Sequence, residues 1–344
     1  MGLIFTDRLH FFTDKPFWCG KYPEFENVRL FNIIGPGLEE KGKIIHILSD
    51  IFSESRQELY YSPYDRSFPC AVYLPEHNCL AVSGFPVRGE EKLSCRYFDI
   101  ARILRSDISP AEEIVGYTMS QSNAYRERSL ELISVADLLL REYLRSSREV
   151  LRSEELKSYA IRKIRSMLEK RDTAGTERVR ALSAITCCGY RFANPSGDFT
   201  VMRLCDDYMA ASRCFVKAAS AAANKMGYDT IISYAADSGC SQMHLLIPEA
   251  GLMFYSESEV LRSGLATEKK LSLNRFYSRE LLDSREHSLS FLGEYIRKIY
   301  SEAALNARIC MDIRNQGRKL LSPYASADEA SEIASEIVYG ILNP

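Results

Sequence analysis

The sequence predicts an α/β fold built twice, and three observations predict it. Strand-like apolar runs alternate with helix-periodic segments along the chain. A short apolar-Pro-Glu segment occurs in each half, and a strand-loop-helix junction precedes each copy at nearly the same spacing. Two tandem domains with mainly parallel sheets are therefore expected, at residues 1–174 and 175–344, each carrying a helical appendage.

In the first half, Leu30-Phe31-Asn32-Ile33-Ile34 reads as a strand, Gly35 through Lys43 as a loop, and Ile44-Ile45-His46-Ile47-Leu48 as the body of a helix. A strand from Glu58 to Ser62 follows, then a strand pair around Pro75-Glu76 (Ala71-Val72-Tyr73-Leu74 and Leu80-Ala81-Val82). From about Tyr97 to Lys170 the pattern is helical, with Leu130, Ile133, Leu140 and Leu144 at helical spacing. Arg171-Asp172-Thr173-Ala174-Gly175-Thr176 is polar, contains a glycine, and reads as the linker.

The second half repeats this order. Phe199 to Leu204 reads as a strand, Asp206 to Cys214 as the loop, and Cys214 to Met226, rich in Ala and Lys, as a helix that Gly227 stops. A strand from Thr230 to Tyr234, a strand pair around Pro248-Glu249, and helices from about Ser278 to Leu342 complete it. Gly35 is matched by Asp206, Asp65 by Asp237, and Glu76 by Glu249, in that order and at nearly one offset. Ordered anchors at a common offset mark a repeat.

Composition narrows the function classes. A formal net charge of −2 with 26% charged residues provides no basic field for nucleic acid. The Arg-rich stretch from Arg141 to Arg180 is interspersed with Glu149, Glu154, Glu155 and Glu169, as on a solvated helix face. No apolar run approaches the ~20 residues of a membrane span, and the N-terminus has no signal-peptide pattern, so a cytoplasmic protein is expected. The 10 cysteines lack Cys-x-x-Cys spacing and suit a reducing compartment, and the 5 histidines lack ligand spacing. Cys187-Cys188 is vicinal, a pattern open to redox chemistry or soft-metal binding; it reads first as two small, half-buried side chains at a strand end.

The chemistry centres on the first loop. A phosphate-binding loop of the Gly-x-x-x-x-Gly-Lys-Ser/Thr type uses glycines to curl backbone N–H groups around phosphates, Lys to reach the β/γ oxygens, and a hydroxyl to hold Mg²⁺. Anchored on Gly35 and Lys41, this chain has Glu40 at the second glycine and Gly42 at the hydroxyl; Gly37 and Lys43 complete the candidate set. A carboxylate repels phosphate and a glycine holds no metal. In the second loop Asp206 takes the first glycine position, Ser212 the lysine and Arg213 the hydroxyl. Losing two or three charge-assisted contacts, ~1.5–3 kcal/mol each, removes roughly three to six orders of magnitude in affinity or rate.

With the junction at Leu30 to Phe52, the paired apolar-Pro-Glu segments, the Glu177-to-Thr186 stretch and the helical tail from Tyr324 to Leu342, nearly the whole chain resembles bacterial proteins built from two tandem P-loop ATPase-like halves. The resemblance implies ATP binding with Mg²⁺. It carries over to Gly35 and Lys41 and fails at Glu40, at Gly42 and throughout Asp206 to Cys214. Where such proteins close the strand after Pro-Glu with an acid, this chain has Ser83 and Tyr255. Glu76 and Glu249 form a candidate acidic site, or else cap the turns that follow their prolines.

The expected function is thus a pseudo-NTPase of tandem type, acting by binding or regulation rather than hydrolysis. One alternative is a weak nucleotide-binding ATPase using the Lys41 loop, where a helix N-terminus still favours an anion. Another is a structural subunit that forms a homo- or hetero-oligomer with an intact ATPase of this type. No Gly-x-Ser-x-Gly elbow or Cys/Ser-His motif supports nucleophilic catalysis.

Overall fold

The computed structural model describes residues 8–12, 28–35, 38–84, 95–103, 109–193, 199–235, 243–261, 269–321 and 327–343. In chain order the first elements are β1 (Arg8–Phe12), β2 (Arg29–Ile34), α1 (Leu38–Ile51), β3 (Gln57–Tyr61), β4 (Ala71–Leu74), β5 (Cys79–Ser83), β6 (Cys95–Asp99), α2 (Ser109–Glu149) and α3 (Ser153–Arg165). Then follow β7 (Glu177–Thr186), β8 (Gly189–Phe192), β9 (Thr200–Cys205), α4 (Ala210–Lys225), β10 (Thr230–Ala235), β11 (His244–Ile247), β12 (Leu252–Glu257) and β13 (Lys269–Ser272). Three helices close the chain: α5 (Arg279–Asp283), α6 (Glu286–Leu321) and α7 (Ala327–Leu342).

Among the described residues the strands form two sheets, with orders β6-β2-β5-β4-β3-β1 and β13-β9-β12-β11-β10-β7-β8. Apart from β8, the two orders are one topology. The registers match as well. Leu59 opposite Val72 and Val72 opposite Ala81 in the first sheet correspond to Ile232 opposite Leu245 and Leu245 opposite Phe254 in the second, all at one offset along the sequence.

Both sheets are mixed, which corrects the expectation of mainly parallel ones. Strand β4 runs antiparallel to its neighbours β3 and β5, as β11 does to β10 and β12. The cause is the length of the connection. Between β4 and β5 lies only the 3-10 turn Pro75–His77 with Asn78 at φ 46°, and between β11 and β12 only Pro248–Ala250 with Gly251 at φ 56°. A link this short joins antiparallel neighbours, whereas a parallel pair needs a crossover of a dozen or more residues. Crossovers do occur where the chain leaves β2 through α1 and β9 through α4, and β2 pairs in parallel with β5 and β6, as β9 does with β12 and β13.

The described chain divides into two compact units. One draws on Met1–Glu127 and Asn306–Pro344, the other on Arg128–Ala193 and Asp198–Leu305. A cut at 174/175 does not separate them: residues 128–174 belong with the second sheet and 306–344 with the first. In the first unit, Ile44, Ile45 and Leu48 of α1 pack on Phe31, Ile33, Val72 and Ala81, and Ile333, Ala334, Ile337 and Ile341 of α7 join the same core. Positions 330, 333, 334, 337 and 341 make a helical stripe, and each buried isoleucine contributes roughly 1.5–3 kcal/mol. In the second unit α4 packs Phe215, Val216, Ala219 and Ala223 against Phe254, and Leu156, Ala160 and Ile164 of α3 join that core. Each half thus contributes its last helix to the core built around the other half's sheet.

Two boundaries differ from the sequence reading. Tyr97 lies in β6, and the helix that follows starts at Ser109. The segment 171–176 is packed into the second unit: the Arg171 guanidinium lies 3.9 Å from the centre of the Tyr228 ring and pairs with Glu249. Gly37, Asp237 and residues 322–326 lie outside the described residues.

Candidate functional site

Ligand sites of α/β sheets form outside the carboxyl ends of parallel strands. In the first unit those ends belong to β2, β5 and β6 and bring together Gly35, Gly84 and Asp99. Helix α1 starts at Leu38, so the loop after β2 is shorter than expected, and Glu40, Lys41, Gly42 and Lys43 are all helical. Lys41 alone of the last three turns back toward the strand ends. Its Nζ donates to the Gly35 carbonyl at 2.9 Å. A Cβ on Gly84 would sit 2.7 Å from this Nζ, and Gly84 has φ +64°, so glycine is required beside the lysine. A Cβ on Gly35 would likewise lie 2.7 Å from Asp99 Oδ1.

Burial pushes the Lys41 ammonium down to about 8, with the Glu40 and Asp99 carboxylates opposing that shift. Glu40 is itself buried. The lysine therefore already has a carbonyl partner and negative neighbours.

The other predicted residues do not converge on it. Gly42 faces Phe68, where a Cβ would come within 2.6 Å of the phenylalanine Cβ, so it serves packing rather than a phosphate. Lys43 is half-buried and pairs with Glu39 at 2.9 Å along the helix. Glu76 sits on the tip between β4 and β5, beside the start of β2, where Arg29 N–H donates to Asn78 O at 3.0 Å. That is the opposite edge of the sheet from Gly35. Its Oε1 accepts from Arg56 N–H at 3.4 Å, and Glu249, on the matching tip of the second unit, pairs with Arg171. Within its own unit, each of these carboxylates thus contacts an arginine, and each lies at the start of the strand that follows Pro-Glu rather than at its end.

In the second unit the corresponding strand end holds a buried carboxylate. Asp206 Oδ2 accepts from Ser212 N–H at 2.6 Å, while Oδ1 accepts from Tyr208 N–H at 3.2 Å and from the Tyr277 hydroxyl at 2.8 Å. The Tyr277 oxygen in turn accepts from Ala211 N–H at 2.8 Å. The first-turn donors of α4 are thus satisfied from within, as a helix N-terminus requires. Burial pushes the Asp206 carboxyl above its usual range while these donors pull it back, and burial and Asp206 together push the Tyr277 phenol up. Met209, at φ 63°, turns the chain into the helix. Asp207 is tied to Asn274 through Asn274 Nδ2 at 2.5 Å and its own N–H at 3.1 Å.

The two loops are closed at the same pair of positions. In one, the side chain of residue 41 reaches the backbone of residue 35; in the other, the side chain of residue 206 receives the backbone N–H of residue 212. Sequence reasoning named Lys41 among its candidates and did not name Asp99, Tyr277 or Glu257, the groups that stand at these strand ends. Glu257 closes β12 two residues beyond Tyr255 and pairs with Arg203. Asp206 stood in the sequence at a glycine position, but nothing local tied it to Tyr277, which lies several elements further along the chain.

No protein-family model, curated protein or solved structure matches this chain.

Proposed function

We propose that this chain is a duplicated, pseudo-NTPase-like protein that acts by binding rather than by nucleotide hydrolysis, its halves descended from one P-loop-like unit. The observation that carries this reading is the Asp206 carboxylate on Ser212 N–H, an internal anion held where a phosphate loop would hold an external one. The shared strand order and the matching strand registers support the duplication. The residues do not fit Mg²⁺-ATP chemistry. Gly42, at the position of the metal-binding hydroxyl, is buried against Phe68, and among the described residues no group of three or more His, Cys, Asp or Glu could hold a metal. Phosphoryl transfer depends on positioned cations, and here Lys41 stands without a metal-binding hydroxyl beside it, which leaves the site short of its main source of rate.

A second reading rests on Lys41. Its ammonium stands at the carboxyl ends of β2 and β5, where a weakly bound phosphate could replace the Gly35 carbonyl. Calorimetry with ATP and Mg²⁺ on the native chain, Lys41→Ala and Asp206→Ala separates the two. No saturable binding below about 100 µM by the native chain is expected. Saturable binding that Lys41→Ala abolishes would overturn the proposal and establish the second reading.

A further inference from the structure

We propose that Cys187 and Cys188 form a chelating dithiol site for one soft, thiophilic d10 cation of the Zn(II) or Cu(I) class. The two residues occupy the turn between β7 and β8, closed by the pairing of Thr186 with Gly189. In an extended strand, adjacent side chains point to opposite faces. The turn cancels that alternation and brings the sulfurs to 3.7 Å.

That spacing suits one metal ion. Two thiolates, each about 2.3 Å from a tetrahedral centre, lie about 3.8 Å apart, so both sulfurs reach one ion without movement of the chain. A disulfide would need them to close to about 2.05 Å. The turn is also held in shape. Thr186 Oγ1 accepts from Cys188 N–H at 3.2 Å and donates to Gly189 O at 2.9 Å, and Gly189 takes φ +84°, the left-handed conformation that completes a tight hairpin. Cys188 is exposed and Cys187 half-buried, so an ion has access.

On binding, each thiol gives its proton to solvent, two metal–sulfur bonds form, and two metal-bound waters leave; nothing is oxidised or reduced. Among the described residues no third His, Cys, Asp or Glu completes the set, so the remaining coordination positions stay open to water or an outside ligand. Three other thiols compete poorly: burial pushes Cys70 and Cys79 up to about 12, which keeps them protonated, and Cys310 is buried.

Titration of the reduced full-length protein with Cd(II), followed at the thiolate-to-metal charge-transfer band, tests the site. One equivalent is expected to bind, more tightly as pH rises, with Zn(II) competing only in excess because thiolates prefer the softer ion. Cys187→Ser and Cys188→Ser should each weaken binding by about 10²–10⁴-fold, the loss expected when a two-point attachment becomes one-point. Cys70→Ser should leave it unchanged. Because the turn is exposed, the serine variants should keep the native thermal midpoint, which confirms that they fold. An unchanged Cd(II) titration in either serine variant, or no band in the native protein at micromolar Cd(II), would overturn the proposal.

Discussion

The hydroxyl of Tyr277 donates to Asp206 Oδ1 at 2.8 Å and accepts from Ala211 N–H at 2.8 Å, so one phenol links a buried carboxylate to the first turn of a helix. A charged group without its donors is costly to bury, and a helix end without acceptors is too. The phenol answers both needs at once.

Tyr277→Phe removes that link and leaves Ala211 N–H without its acceptor. A loss of about 1.5–3 kcal/mol in unfolding free energy is expected. Asp206→Asn should cost a similar amount, because its amide would point a donor at either Ser212 N–H or the tyrosine side. The double variant should cost less than the two losses added together. Urea unfolding of the four proteins measures this, and simple additivity would show that the two groups are not coupled.

His244 and Lys41 make stability depend on pH in two separate windows. His244 is buried, its Nδ1 accepts from Ser256 N–H at 3.1 Å, its Nε2 lies 3.2 Å from the Tyr190 hydroxyl, and burial holds it down to about 3. The unfolded chain binds this proton near pH 6.5 and the folded chain only near 3, so stability falls as pH drops through that window, by about 1.4 kcal/mol per pH unit. Lys41 has the same sign at higher pH. With its folded value near 8 and its unfolded value near 10.5, the Lys41 contribution to stability rises as pH climbs between them, opposed above about pH 9 by the raised Cys70 and Cys79 thiols, so it is read as the difference from the Lys41 variant. Lys41→Met should remove the upper slope and His244→Phe the lower one. Thermal midpoints that keep both slopes in these variants would refute the assignment.

Fragments 1–174 and 175–344 should fail to fold separately and should fold when mixed. The first retains β1 to β6 but lacks α7, and with it Ile333, Ala334, Ile337 and Ile341 from its core. The second retains β7 to β13 but lacks α3 and so Leu156, Ala160 and Ile164. At roughly 1.5–3 kcal/mol for each buried Ile or Leu, the three isoleucines of α7 are worth about 4.5–9 kcal/mol and Leu156 with Ile164 about 3–6 kcal/mol, losses comparable with the roughly 5–15 kcal/mol stability of an ordinary domain. Circular dichroism of each fragment and of the mixture tests this; a cooperative thermal transition in either fragment alone would contradict it.

The junctions β2–α1 and β9–α4 were legible because a strand followed by an amphipathic helix leaves its period in a few consecutive residues. The tips at Pro75–His77 and Pro248–Ala250 were legible as turns, although their consequence for strand direction was not drawn from them. Lys41 was legible as a candidate phosphate lysine in a set with Gly42 and Lys43, and the structure separated the three, because helical phase decides which of three neighbours turns inward.

By itself, the sequence determined the α/β alternation, the internal repeat that pairs Glu76 with Glu249, and a first loop with Glu40 and Gly42 where a phosphate loop carries Gly and Ser/Thr. These are properties of residue type and local order, and local periodicity records them directly. Only the tertiary structure decided that the sheets are mixed, that α3 and α7 join the core of the opposite half, and that Asp206 meets Tyr277. The reason is physical. The placements of α3 and α7 and the Asp206–Tyr277 bond join segments far apart in the chain and are selected by the burial and hydrogen bonding the assembled core provides, whereas the mixed sheets follow from short local turns whose strand direction shows only once the neighbours pair.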